Sequence, residues 1–217
     1  MEDLIQTVVG KKTLPIHLKE FLQQTEHFDK RIIDLGTGDG RFVYTNAQST
    51  RQILFVGVDT LANLMEEYSY KADKKKLDNA IFVLGSADKF IEGVSKYADF
   101  IYVNLPWGSL LKFVIDADEV FLSNIYRLLK PKGRVIINLG YTQEAEQKEI
   151  DKLQLPPLSV TFIQDTLAKK YEAYGFKLVS LKELKKEEIS EIGTTWAKRL
   201  KYGKDRPVFS FVFELSL

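Results

Sequence analysis

The sequence predicts an α/β fold with a mainly parallel, seven-stranded sheet and helices on both of its faces. Short apolar segments rich in valine, isoleucine and phenylalanine alternate with longer segments of helical period. Strands separated by helices require right-handed crossovers, which favour a parallel sheet. The predicted strands are 31–35, 53–58, 80–84, 98–104, 134–139, 176–181 and 207–215.

The elements at the two ends of the chain depart from a plain α/β pattern. Residues 1–14 predict a two-stranded ribbon that turns at Gly10-Lys11-Lys12, within an N-terminal extension of about residues 1–28. The last segment, 207–215, has few polar interruptions, which is typical of a strand buried on both faces. Two connections, 141–160 and 184–206, are longer than α/β units need. We expect both to be substrate-recognition insertions over the pocket.

Composition limits the class of protein. A chain of 217 residues, 45% of them hydrophobic, is long enough for one sizeable core, so we expect one domain spanning 1–217. It has no cysteine, which excludes disulfides and thiolate chemistry, and we expect no metal site. His17 and His27 both precede the predicted first parallel strand, which disfavours a histidine-based triad. We expect a soluble, cytoplasmic protein with no membrane partner.

A glycine-rich turn follows the first parallel strand. Residues 32–41 read Ile-Ile-Asp-Leu-Gly-Thr-Gly-Asp-Gly-Arg, which places Gly36, Gly38 and Gly40 at alternate positions. Glycine permits a sharp turn and the close approach of a ligand that a Cβ would displace. The dinucleotide fingerprint needs its last glycine one position later, where this chain has Arg41. The spacing therefore favours S-adenosylmethionine (SAM) over a pyrophosphate.

Three acids follow successive predicted strands. Asp34 would hold the glycine turn and face the ammonium end of an amino-acid moiety. Asp59 would accept both hydroxyls of a ribose, and Asp88, in Gly85-Ser86-Ala87-Asp88, would meet an adenine amino group. A single loop aspartate is most often a helix N-cap. Three aspartates beside one glycine turn instead favour a class I SAM-dependent methyltransferase with a Rossmann-like fold. The alternative is a nucleotide-binding domain that carries out another chemistry.

The two tryptophans of the chain mark the candidate acceptor site. In Asn104-Leu105-Pro106-Trp107-Gly108-Ser109, Pro106 stiffens the turn and Gly108 allows close passage of the chain, which predicts Trp107 at the mouth of a pocket. Trp196 has two interpretations. It shares helical spacing with Ile189, Ile192 and Leu200, as a buried stripe would. The cations directly after it instead favour an aromatic face for an unstacked base.

Two basic clusters contrast with the net charge of +1. Either cluster alone is typical of a solvated helix face, but the second follows Trp196 and favours a nucleic-acid partner. The first cluster consists of Lys71, Lys74, Lys75 and Lys76, and the second of Lys198, Arg199, Lys201, Lys204 and Arg206.

Four motifs in matching order resemble one known family from about residue 30 to the C-terminus. They are Asp-Leu-Gly-Thr-Gly-Asp-Gly-Arg at 34–41, Pro-Trp-Gly-Ser-Leu-Leu at 106–111, Leu-Pro-Pro-Leu-Ser at 155–159, and Trp-Ala-Lys-Arg-Leu at 196–200 with Gly203 and Arg206. The family is that of the kanamycin-apramycin resistance methyltransferases, which methylate N1 of adenine 1408 in 16S rRNA. The resemblance implies aminoglycoside resistance, SAM as cosubstrate, and a monomer that acts on the helix 44 decoding region of the 30S subunit.

The resemblance also implies a role for each matching position. Trp107 and Trp196 would be the catalytic residues, stacking on both faces of a flipped adenine whose neutral N1 needs no general base. Around SAM it places Asp34, Gly36, Gly38, Gly40, Asp59, Ala87, Asp88, Leu105, Ser109 and Thr194. With the two basic clusters it implies rRNA contacts by Lys71, Lys74, Lys75, Glu146, Lys198, Arg199, Lys204 and Arg206, the last of these on a phosphate of the distorted strand.

Two alternatives remain open on the sequence. Asn104-Leu105-Pro106-Trp107 is also similar to the Asn-Pro-Pro-aromatic signature of amino-group methyltransferases, in which the asparagine and a carbonyl bind an exocyclic amine. The second alternative is not an enzyme. The chain would then be a ribosome-binding factor that has a methyltransferase fold but catalyses no reaction.

Overall fold

The computed structural model describes residues 4–86, 94–202 and 206–216. The strands are β1 (Leu4–Val9), β2 (Lys12–His17), β3 (Lys30–Leu35), β4 (Ile53–Asp59), β5 (Ala80–Leu84), β6 (Ala98–Asn104), β7 (Leu129–Leu139), β8 (Phe176–Glu183) and β9 (Phe209–Leu215). The helices are α1 (Leu18–Thr25), α2 (Arg41–Ser49), α3 (Ala62–Lys74), α4 (Gly108–Asp116), α5 (Glu119–Leu128), α6 (Gln143–Leu153), α7 (Ala168–Glu172), α8 (Lys186–Glu191) and α9 (Thr195–Tyr202). A π-helical turn, Phe162–Leu167, leads into α7.

These described strands form one mixed sheet in the order β2-β1-β5-β4-β3-β6-β7-β9-β8. The five strands from β5 to β7 are parallel to one another, and β9 is antiparallel to both β7 and β8. The predicted α/β fold with a parallel centre is confirmed. The predicted count of seven strands is wrong, because the described residues contribute nine.

The two additional strands come from the N-terminal ribbon. The turn lies at Gly10 and Lys11, as predicted, but the ribbon continues to His17. β1 pairs with the outer strand β5 through Gln6 and Thr7. The ribbon thereby extends the sheet, because the backbone groups of an otherwise open edge become paired.

Helices cover both faces of the parallel strands. On one face, α2 and α3 bury Phe42, Val43 and Met65 against the sheet. On the other face, α4, α5 and α7 pack on a larger core. Crossover connections of this kind bury a parallel sheet on both sides, which explains the apolar runs 53–58 of β4 and 100–103 of β6. Among the described helices, none has the length and apolar character needed to cross a bilayer.

β9 is buried differently from the prediction of two covered faces. Phe209, Phe211 and Phe213 point into the core, whereas Ser210 and Val212 between them are partly exposed. The alternation arises because the second face of β9 has only partial cover. Tyr171 of α7 stacks on Phe213 with ring centroids 4.2 Å apart.

Replacement of Tyr171 tests this packing. Its ring is fully buried, and its hydroxyl donates to the carbonyl oxygen of Val114 in α4 at 3.1 Å. We expect Tyr171→Phe to lower the free energy of unfolding by about 1 kcal/mol, because the hydrogen bond is lost and the stacking kept. Tyr171→Ala should cost roughly 3–5 kcal/mol. Urea unfolding measures both changes, with the half-exposed Tyr126→Phe as a near-neutral control. Equal losses at the two tyrosines would contradict the assignment.

Candidate active site

The glycine turn between β3 and α2 combines two different requirements. Gly36, Gly38 and Gly40 all have positive φ, between 60° and 80°. A Cβ on Gly40 would lie 2.4 Å from the Phe82 ring, so this position excludes every side chain. A Cβ on Gly38 would meet nothing within 4 Å. The space beside Gly38 is therefore open to a ligand, whereas Gly40 is required by packing and by its backbone conformation.

Asp59 lies at the carboxyl end of β4 and holds this turn. Its Oδ2 accepts the backbone N–H of Gly38 at 2.9 Å, and its Oδ1 accepts that of Leu61 at 3.1 Å. Burial raises the pKa of the Asp59 carboxyl, and these backbone hydrogen bonds oppose the shift. A carboxylate accepts about four hydrogen bonds, so both oxygens keep capacity for ligand hydroxyls.

Asp34 lies within the protein, under the turn. Its side chain accepts from the Thr37 hydroxyl at 2.6 Å and from the Asn104 amide at 2.9 Å, and the residue is 1% exposed. Desolvation raises the pKa of Asp34 to about 7, against the lowering effect of these bonds, and Asp59 and Asp39 add repulsion. The prediction that Asp34 holds the turn agrees with this geometry. That Asp34 also faces the ammonium end of a ligand stays a prediction, and its burial among protein donors disfavours direct contact.

Asn104 belongs to the same buried network. Its Nδ2 donates to Asp34, and its Oδ1 accepts from Asn138 Nδ2 at 2.8 Å. Asn104 is 6% exposed, so its amide faces protein partners and not an open cavity. This placement disfavours the amino-group methyltransferase alternative, in which the asparagine binds an exocyclic amine.

The loop 105–107 between β6 and α4, called the acceptor loop, begins with a residue in a constrained backbone conformation. Leu105 has φ +51°, a left-handed conformation that costs a non-glycine residue free energy, and its N–H donates to the carbonyl of Asn138 at 2.6 Å. Pro106 is buried, and Trp107 is 53% exposed at the start of α4. A Cβ on Gly108 would meet nothing within 4 Å, so its φ of +57° explains this glycine and the predicted close passage does not. Ser109 is exposed in the first turn of α4.

The two tryptophans line one cavity of about 300 Å³. Its wall also includes Leu105 and Pro106 from the acceptor loop, Glu146 of α6, and Arg206 before β9. Tertiary structure thus brings together residues from three segments far apart in the chain. All of them lie at the carboxyl edge of the parallel strands, which is where α/β sheets bind ligands.

Trp196 does not belong to a buried stripe. It is 54% exposed, and Ala197 occupies the buried position beside Ile189 and Leu200. The side-chain oxygen of Thr194 accepts the N–H of Ala197 at 3.0 Å, as an N-cap of α9. The core interpretation of Trp196 is therefore wrong. The predicted role of Thr194 beside SAM competes with a capping role that the geometry supplies directly.

Thr195 is the residue that the sequence reasoning missed. Its hydroxyl donates to Oδ2 of Asp39, which lies between Gly38 and Gly40, 156 positions earlier. No spacing or motif signals this contact, since both residues are common in loops and at helix ends.

Glu146 has partners inside the protein. Its Oε1 forms an ion pair with Arg206, and its Oε2 accepts the N–H of Thr142 at 2.8 Å. The Glu146 side chain is 8% exposed and that of Arg206 is 19% exposed. The predicted rRNA contact of Glu146 stays a prediction, and the low exposure of its side chain favours a role inside the protein. Its position indicates that it orients Arg206 at the cavity.

The two basic clusters lie apart. Lys198 and Arg199 are exposed on α9, and the Arg199 guanidinium lies 5.7 Å from the Trp196 ring centroid. Lys71, Lys74 and Lys75 are exposed at the C-terminal end of α3, toward the amino edge of the strands. Helix α3 has 13 residues and is therefore about 20 Å long, which separates this cluster from the cavity edge. The predicted residues Ala87, Asp88 and Lys204 lie outside the described part of the chain.

The match to known proteins covers nearly the whole chain. Residues 6–213 match the family model described as NpmA, 16S rRNA (adenine(1408)-N(1))-methyltransferase. A 16S rRNA (adenine(1408)-N(1))-methyltransferase from Escherichia coli is 33% identical over 208 residues, covering 92% of this chain and 94% of that protein. One from Streptoalloteichus hindustanus is 28% identical over 209 residues, covering 93% of this chain and 94% of that protein.

Solved structures match the fold over the same length. The crystal structure of the 16S rRNA methyltransferase KamB superposes with a TM-score of 0.87 at 27% identity, covering 98% of this chain and 100% of that one. The aminoglycoside resistance methyltransferase NpmB1 superposes with a TM-score of 0.83 at 30% identity, covering 97% of this chain and 99% of that one. On the family match and the site geometry together, this chain belongs to the NpmA family of 16S rRNA (adenine(1408)-N(1))-methyltransferases.

Proposed function

We propose that this protein methylates N1 of adenine 1408 of 16S rRNA in the 30S subunit with SAM, flipping the base between Trp107 and Trp196, and so confers aminoglycoside resistance. The single observation that carries the proposal is the cavity that both half-exposed indoles line, at the carboxyl edge that also holds the glycine turn. Large exposed aromatics beside a polar rim mark a binding surface more often than a defect of packing.

The residues around the turn fit SAM. Gly38 leaves open space, and Asp59 has acceptor capacity for ribose hydroxyls. Asp34, Asp39 and Asp59 are close enough for mutual repulsion to raise the pKa of Asp34. The space beside the glycine turn therefore favours a cationic ligand. When bound, SAM supplies an electrophilic methyl group on a positively charged sulfur. We assign Leu105, from the acceptor loop, and Ser109, from the first turn of α4, to the side of the ligand that faces the target base.

Positioning is the main task of the chain in this reaction. A base inside a duplex must leave the stack before N1 is accessible, and stacking on indole rings offsets part of the unstacking cost. Adenine N1 is neutral and carries a lone pair, so no side chain needs to remove a proton first. The product base is initially cationic, and two indole faces stabilise it by roughly 0.5–2 kcal/mol. The chemistry of N1 therefore matches the described cavity, which offers aromatic faces and whose carboxylate, Glu146, is paired with Arg206.

The rRNA surface extends outward from the cavity. Arg206 is held at the cavity wall, where it would bind a phosphate beside the flipped nucleotide. Lys198 and Arg199 continue this surface along α9, and the α3 lysines provide a second contact about one helix length away. The connection 184–206 carries Lys198, Arg199 and Arg206, and the connection 141–160 carries Glu146, which supports the role of both as recognition insertions in a single domain. The proposed partner is the helix 44 decoding region, bound by a monomer.

The first prediction from the proposed function concerns methyl transfer itself. Wild-type protein should transfer radiolabel from SAM to 30S subunits and create a primer-extension stop at the target adenine, because a methyl on N1 blocks base pairing. Trp107→Ala and Trp196→Ala should each reduce transfer by more than about 100-fold, since alanine removes the stacking surface. Replacement by phenylalanine should cost less.

SAM affinity separates this role from a structural one. Calorimetry should find SAM affinity within about threefold of wild type in both alanine variants, because exposed side chains contribute little to the fold. Tyr126→Ala, at a similarly exposed aromatic on α5, serves as the matched control. No radiolabel in the 30S subunit with the wild-type protein would refute the activity. Label without a primer-extension stop would indicate another target atom.

A second prediction concerns pH. At neutral pH the Asp34 carboxyl is about half protonated, because burial raises its pKa to about 7. A cationic ligand favours the charged carboxylate and lowers that pKa, so SAM binding should release a proton. SAM affinity should therefore rise with pH, at most about tenfold per unit, and level off above about pH 7. Asp34→Asn should have a flatter profile by calorimetry, whereas identical slopes in the two proteins would contradict the linkage.

A third prediction concerns the Glu146–Arg206 pair. Arg206→Ala should lower single-turnover methylation by about tenfold or more, because a charge-assisted contact to the distorted strand is lost. Affinity for 30S subunits should fall less than about threefold, since one phosphate contact is a small part of binding. Glu146→Ala should have the same effect, because Arg206 then loses its orientation.

The double variant and a control test this coupling. Glu146→Ala combined with Arg206→Ala should be no worse than either single variant, because both act through the same contact. Glu214→Ala breaks the exposed pair with Arg134 on β7 and β9 and should leave turnover unchanged. Additive losses would indicate that Glu146 acts independently of Arg206.

A further inference from the structure

We propose that the hydrogen bond between Thr195 and Asp39 is a positioning contact that couples the SAM-binding turn to the tryptophan of the base pocket. The inference rests on the proposed function, since it deepens the role of Trp196. Thr195 is not proposed to contact SAM or the base. Its hydrogen bond links the order of the glycine turn to the position of Trp196.

On the cosubstrate side, Asp39 is part of the turn itself. It lies between Gly38, which borders open space, and Gly40, which has no room for a side chain. Its Oδ1 accepts the N–H of Arg41 at 3.1 Å, at the first residue of α2. A ligand that fixes the turn through Gly38 and Asp59 therefore also restricts Asp39.

On the base side, Asp39 Oδ2 holds the first residue of α9. Thr195 donates its hydroxyl to this oxygen, and Trp196 is the next residue. The N-cap bond of α9 comes from Thr194, so capping does not require the Thr195 hydroxyl. α9 packs through Ala197 and Leu200 on a small apolar cluster that is separate from the two larger cores.

The consequence is reciprocal coupling between the two ligands. A small cluster alone orders a short helix weakly, so a charge-assisted bond at its first turn contributes substantially to the position of Trp196. If SAM binding orders the turn, it also orders Trp196, and a stacked base must raise SAM affinity by the same factor. The two indoles would then close most readily on a base when the methyl donor is present.

Fluorescence of Trp196 tests the coupling. In a Trp107→Phe background Trp196 is the one tryptophan of the chain, so acrylamide quenching reports its exposure. Saturating SAM should reduce the quenching constant about twofold or more in this parent and in its Thr195→Ser derivative, which keeps the hydroxyl. Thr195→Val, which is isosteric but cannot donate, and Asp39→Ala should both abolish the effect of SAM. Ser190→Ala on α8, whose hydroxyl bonds only the Glu187 carbonyl among the described contacts, is the matched control.

Kinetics on 30S subunits provide the second readout. With Trp107 present, Thr195→Val should lower turnover at saturating SAM by about tenfold, while SAM affinity of the free protein changes less than about threefold. Thr195→Ser should restore turnover. SAM-dependent protection of Trp196 that persists in folded Thr195→Val would overturn the inference. If the wild-type protein transfers no methyl to 30S subunits, the proposed function fails, but the quenching experiment still decides the coupling.

Discussion

The buried hydrogen-bond network through Thr37, Asp34, Asn104 and Asn138 fixes the carboxyl ends of three neighbouring strands. β3, β6 and β7 contribute one side chain each, and the Thr37 hydroxyl closes the network under the glycine turn. A buried polar network is stable only when its members are satisfied, so each residue restricts the others. The Asn138 carbonyl also holds the strained Leu105. The cosubstrate turn and the acceptor loop therefore share one rigid support.

Onto this support the chain adds elements that are poorly buried. The two tryptophans expose about half of their surface, and α9 rests on a small apolar cluster. Elements with few buried contacts open at low free energy, which suits the proposed entry of an rRNA nucleotide. The division between a rigid glycine turn and a loosely held tryptophan cavity follows from how apolar surface is distributed. Under the proposed function, individual hydrogen bonds at the cavity, such as those at Asp39 and Glu146, would therefore carry weight.

The reaction of the NpmA family is consistent with this division between a rigid turn and a loosely held cavity. Relatives at 28–33% identity over more than nine-tenths of the chain are 16S rRNA (adenine(1408)-N(1))-methyltransferases. Methylation of a ring nitrogen that already has a free lone pair requires orientation and no proton acceptor. The described cavity has aromatic faces and a guanidinium in its wall, and its carboxylate, Glu146, is paired with that guanidinium. Such a site is suited to holding a base and a phosphate in place.

Four features can be read from local sequence patterns: the class of fold, the glycine turn, the position of Asp59 at a strand end and the segment around Trp107. They depend on strand periodicity and on backbone conformations that only glycine adopts freely. The remaining features depend on contacts made in the folded protein. The ribbon joined the sheet edge because β5 offered unpaired backbone, and Trp196 faced outward because Ala197 took the buried position. Asp34 and Asn104 joined one buried hydrogen-bond network, and Glu146 became the partner of Arg206. Each outcome depends on contacts between segments distant in the chain, and neither spacing nor composition specifies which distant polar group will satisfy another.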